Sequence, residues 1–114
     1  MQLYQLIFYV PASHLALVKE ALFAAGGGRL GRYEHCCWQV LGQGQFRPLA
    51  GSRPAIGQQD CLEYIDEWRV EMICRATVLS AVLQALRQVH PYEEPAYAWW
   101  PINQSPSLAP EPGT

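Results

Sequence analysis

The sequence predicts an α+β domain of the ferredoxin-like type, β-α-β-β-α-β, with two helices on one face of a four-stranded antiparallel sheet. Two observations predict it. Apolar periodicity changes between strand and helix spacing in that order along the chain. The chain also has 114 residues, half of them apolar and 16% charged, which is enough for one packed core but not two.

Leu3 to Val10 (LYQLIFYV) reads as the first strand, apolar on nearly every position of both faces, so both faces need cover. Pro11 ends it, and Ser13 is the expected N-cap of a helix. Leu15, Val18, Leu22 and Ala25 recur at the spacing of one helix face, with Lys19 and Glu20 opposite. Gly26-Gly27-Gly28 stops the helix, one glycine taking the left-handed C′ position. Glu34 to Leu41 is read as strand two, and the Gly- and Pro-rich stretch Gly42–Gly57 as a long loop. Leu62 to Arg75 alternates most clearly, Trp68, Val70, Met72 and Cys74 against Glu67, Arg69, Glu71 and Arg75. Thr77 is the expected cap of a second helix with the stripe Leu79, Val82, Leu83, Leu86 and Val89, and Pro91 marks its exit. Ala96 to Ile102 is a short last strand. The domain therefore spans residues 1–102, and 103–114, with three prolines and one large apolar residue, reads as a disordered tail.

Strands one and four carry apolar residues on both sides, including Tyr97, Ala98, Trp99 and Trp100. Two helices cover one face only. At about 25 cal/mol per Å², two or three bare aromatic rings are several kcal/mol of unrealised burial. Self-association through the sheet is the expected solution.

Composition narrows the function classes. The formal charge is −2 with no Lys/Arg stripe, which argues against a nucleic-acid partner. No apolar run approaches the roughly 20 residues of a membrane span. The start, Met1-Gln2-Leu3-Tyr4, has no basic region of the kind that opens a signal peptide. Four cysteines without an export signal are expected to be reduced thiols in a cytoplasm, and no Cys-x-x-Cys pair suggests a zinc ribbon.

Four segments carry chemistry worth weighing. Gly26-x-Gly28-x-x-Gly31 matches the dinucleotide fingerprint, but a helix precedes it and a strand follows, the reverse of what that site requires. A turn is the better account, at most an anion nest with Arg29 and Arg32. His35-Cys36-Cys37 offers soft ligands, though strand alternation sends Cys36 away from the other two; buried thiols are the plainer reading. The Gly42–Gly57 loop carries Phe46, Arg47 and Arg53, and the arginines could clamp a carboxylate or phosphate. His90-Pro91-Tyr92-Glu93-Glu94-Pro95-Ala96-Tyr97 places an imidazole near two carboxylates on a stiff frame. Those groups suit a divalent metal ion or an acid/base pair; the plainer account is a turn whose glutamates accept backbone N–H bonds.

Taken together, Gly26-x-Gly28-x-Leu30-Gly31-x-Tyr33-x-x-Cys36, Gly42-x-Gly44-x-Phe46-x-Pro48, Gly51-x-x-Pro54-x-Ile56-Gly57, Glu67-x-Arg69-x-Glu71 and His90 to Tyr97 resemble the small domain inserted in bacterial Nif-three-like proteins. The resemblance covers residues 1–102, departing where Cys37-Trp38 stands in place of Ser-Phe. It implies a CutA/PII-like unit, trimeric in CutA and PII, with small ligands bound where subunits meet and the long loop takes part. The family's two-metal centre belongs to larger lobes, so its suspected hydrolase activity does not carry over.

The expectation is therefore a non-catalytic, cytoplasmic homo-oligomer, a trimer, that binds a small ligand or metal ion at subunit boundaries. Phe46, Arg47 and Arg53 are the ligand candidates; His90, Glu93, Glu94 and Cys36 are the metal candidates. A metal-dependent hydrolase using His90, Glu93 and Glu94 is one alternative. A protein-interaction module with no small ligand is the other.

Overall fold

Strand β1 (Leu3–Pro11) lies inside the sheet between β3 (Glu63–Arg75) and β4 (Tyr97–Ile102), and β2 (Trp38–Phe46) flanks β3 on the far side. The computed structural model describes residues 1–104; of the expected tail 103–114, residues 105–114 lie outside the described residues. The order β2-β3-β1-β4, antiparallel throughout, is the ferredoxin-like sheet. Helices α1 (Leu15–Ala24) and α2 (Ala76–Val89) cover one face. Among the described residues no helix is long and apolar enough to cross a membrane.

The alternation of β3 dictates which face is covered. Val70, Met72 and Cys74 are buried against Leu6, Phe8 and Val10 of β1. Val18 and Leu22 of α1 and Val82, Leu83 and Leu86 of α2 complete this core. Burial pushes the Cys74 thiol up to about 11, partly offset by a hydrogen bond from the Gly28 backbone, so this cysteine is inert packing.

Helix α1 ends in a Schellman motif: Gly26 N–H donates to Phe23 C=O and Gly27 N–H to Leu22 C=O, both at 3.0 Å. Gly26 holds φ +105°, as expected for the C′ glycine. Neither expected N-cap forms. Ser13 turns to His14 at 2.9 Å, inside a 3-10 turn, Ala12–His14, that precedes α1. α2 follows β3 without a break, so its N-cap is Arg75 rather than the expected Thr77, which lies inside the helix.

Strand two starts four residues later than expected, at Trp38. The preceding chain is drawn over the sheet instead: Gly28 N–H reaches Ile73 C=O at 2.9 Å, and Cys36 N–H reaches Gly28 C=O at 2.8 Å. His35 sits at φ +59° and stacks on Phe23, ring centroids 4.7 Å apart. Residues 34–37 therefore do not alternate as a strand. At its other end β2 continues to Phe46, so Gly42 and Gly44 are strand residues and the loop runs from 47 to 62.

The second face of the sheet carries no helix. Ile7, Ile73, Val40, Trp38 and Trp100 lie there around the Arg69–Glu71 pair. Where β2 and β3 run past the helical layer, Leu41 and Tyr64 are exposed as well.

Candidate functional site

Pro91 forbids continuation of α2, and the chain turns sharply after His90. His90 pins that turn to the sheet. Its ring is buried, Nε2 donates to Tyr9 C=O at 2.6 Å, and Nδ1 accepts from Tyr92 N–H at 3.1 Å. Tyr9 N–H in turn donates to Ala96 C=O at 3.2 Å. Burial holds the His90 pKa below its usual value, against the opposing pull of the Tyr9 carbonyl and with a small contribution from His14. Both ring nitrogens are occupied, so this imidazole has no lone pair free for a metal.

The loop folds back onto this turn. Arg53 N–H donates to Glu93 Oε1 at 3.0 Å, linking residues forty apart in sequence. Within the loop, Ser52 Oγ donates to Leu49 C=O at 2.6 Å and Asp60 N–H to Pro48 C=O at 2.6 Å. Between loop and turn lies a cleft of about 250 Å³. Phe46, Pro54 and Ile56 supply apolar walls; Tyr92, Glu93 and Ala96 close the turn side. The Phe46 and Tyr92 rings face each other at 6.3 Å.

Glu67 of β3 enters the same cleft. It can do so because its carboxyl lies over Gly44, a diagonal neighbour on β2, where a Cβ would collide with it. The buried Tyr92 hydroxyl lies beside that carboxylate without a well-aligned hydrogen bond. Burial first, and then the Glu67 charge and contact, push the Tyr92 pKa up to about 12.

The structure thus brings Phe46, Glu93 and Glu94 together and separates the rest. Arg47 pairs with Asp60 at 3.4 Å, and Arg53 takes part through its backbone. Neither guanidinium lines the cleft, so the expected two-arginine clamp does not form. Cys36 sits toward the other end of β3, in a second depression beside Ile73, its Sγ 3.8 Å from Glu34 C=O. The expected grouping of His90, Glu93, Glu94 and Cys36 is not assembled. Among the described residues no cluster of three or more His, Cys, Asp or Glu has metal-binding geometry. Sequence reasoning missed Glu67 as a cleft residue, because a charged row on an alternating strand reads as solvated. Gly44, diagonal to it on the neighbouring strand, was the available clue.

This architecture defines the class: a CutA-like unit of the ferredoxin-like fold. It superposes on the periplasmic divalent cation tolerance protein CutA from Archaeoglobus fulgidus with a TM-score of 0.62, at 13% identity, over 90% of this chain and 86% of that one. Sequence places the chain more narrowly. It is 43% identical over 107 residues to a GTP cyclohydrolase 1 type 2 homolog of Mycobacterium leprae, covering 94% of this chain and 26% of that protein. It is similar also to the Bacillus cereus protein related to NIF3, with a TM-score of 0.77 and 34% identity over 90% of this chain and 26% of that one. The chain is therefore homologous to one segment of the Nif-three-like proteins and spans about a quarter of the length of these relatives. No family model matches it.

Proposed function

We propose that this chain is a non-catalytic, self-associating binding module that takes a small ligand in the cleft between loop 47–62 and turn 90–96, where subunits meet. The observation that carries this reading is the cleft itself. Two segments far apart in sequence are tied together by the Arg53–Glu93 bond around an apolar hollow with a few polar groups, the usual make-up of a ligand site.

Self-association is supported by the uncovered sheet face. Trp38 is 57% exposed and Trp100 42%. Each tryptophan can bury about 150–250 Å², so covering the remaining half of both adds about 200 Å², or about 5 kcal/mol per subunit at about 25 cal/mol per Å². The protruding β2–β3 arm, with Leu41 and Tyr64 exposed, can reach a neighbouring copy. A trimer is the arrangement favoured by the CutA-like fold. Four free cysteines suit a reducing, cytoplasmic setting.

The test is native mass spectrometry of protein prepared without chelator, paired with thermal-shift screening of small ligands. A ligand at 100 times its Kd stabilises the folded state by about 2.7 kcal/mol, a clear rise in Tm. Retained ligand or such a shift supports the reading. An empty protein whose Tm no ligand moves would favour a protein-interaction module.

A further inference from the structure

We infer, resting on the cleft reading above, that the ligand is a small organic cation: an ammonium or guanidinium group on a short apolar stem. Glu67, Glu93 and Glu94 line the cleft, and no Lys, Arg or His does. Of the nearby cations two are committed elsewhere, and the Arg53 guanidinium, beside the cleft, is not among the groups that line it. Arg47 is held by Asp60, and Arg69 by Glu71 at 3.2 Å. Among the described residues neither Glu67 nor Glu94 forms an ion pair. Glu67 is half-buried beside the Tyr92 ring and, among the described residues, lacks an ion-paired counter-charge. A cation arriving there supplies it.

The walls select the same class. The Phe46 and Tyr92 rings, tilted at 49°, present π-electron density that attracts a cation at short range. Pro54 and Ile56 offer apolar contact for a hydrocarbon stem. The volume suits a small group: about 250 Å³ equals roughly eight waters at about 30 Å³ each, in a cleft open to solvent on one side. A carboxylate or phosphate of that size would face three carboxylates and no basic side chain.

Calorimetric titration of the full chain with n-pentylammonium, agmatine and hexanoate tests this, using wild type, Glu67→Gln, Glu94→Gln and the cleft-filling Ala96→Trp. The expected result is that the cations bind and hexanoate binds at least tenfold more weakly. Each Gln variant should lower cation affinity by about tenfold with Tm unchanged, and Ala96→Trp should abolish binding. Cation binding unaffected by both Gln variants overturns the inference. Hexanoate binding equal to or tighter than the cations, and lost in Ala96→Trp, overturns the cation assignment but leaves the cleft reading standing. If none of the three probes binds, the cation assignment falls; the cleft reading falls with it only if the wider ligand screen is also blank.

Discussion

Replacing His90 with alanine strips the turn of the group that fixes it to β1. Two hydrogen bonds disappear, from Nε2 to Tyr9 C=O and from Tyr92 N–H to Nδ1, and the ring they came from is only 6% exposed. A buried polar group left without a partner costs about 1–3 kcal/mol, and water entering the vacated space offsets part of that. The expected loss is about 2–4 kcal/mol, a large share of the 5–15 kcal/mol (approximately) that holds a domain folded. With a urea m-value of about 1–3 kcal/mol/M, the midpoint falls by about 1–2 M. The pH dependence is a second readout. His90 has a lowered folded pKa, so the unfolded chain binds more protons below the ordinary value of 6.5. The stabilisation from neutral His90 is therefore complete above pH 6.5 and is lost as pH falls below it. Urea melts of wild type and His90→Ala at several pH values measure both effects. A destabilisation under about 0.5 kcal/mol, well below the range for a stranded polar group, or an unchanged pH slope in the variant, would refute the assigned role.

Gly44→Ala should fold, because the atom its Cβ meets is the movable end of Glu67; it should displace that carboxylate from the cleft and weaken ligand binding to the same extent as Glu67→Gln, measured by calorimetry. Gly26→Ala forces a side chain into φ +105° with Val78 Cγ1 3.0 Å away, and thermal melts should show a loss of about 1–3 kcal/mol. Phe8→Ala, at the centre of the core with no exposed surface, should cost about 3–5 kcal/mol in urea denaturation.

The sheet was legible because its periodicity is strong. Val70, Met72 and Cys74 alternate with charges, and the stripe Val82, Leu83, Leu86 has helical spacing; both bury as that pattern requires. The boundary of strand two was not legible. Glu34 to Cys37 has strand-like composition, but the pull of Gly28 toward Ile73 and Cys36 is a tertiary hydrogen-bond pattern that no local window contains. The candidate caps failed for a similar reason: α2 emerges directly from β3, so Ala76 N–H is satisfied by Gln2 C=O at 3.0 Å and Thr77 has no capping position to fill. At the site, the loop and the acidic turn were each visible as unusual segments. Their meeting through Arg53 and Glu93 is a three-dimensional fact, and it turned Arg53 from a side-chain clamp into a backbone donor.

A self-associating module needs the bare face of the sheet to be covered by further copies of the chain. Sedimentation equilibrium across the micromolar range measures this directly, comparing wild type with Trp100→Asp. The predicted wild-type mass is a multiple of the 12.8 kDa subunit, with threefold favoured, and the aspartate variant should shift toward the single subunit. A wild-type species that stays at one subunit mass throughout would contradict it.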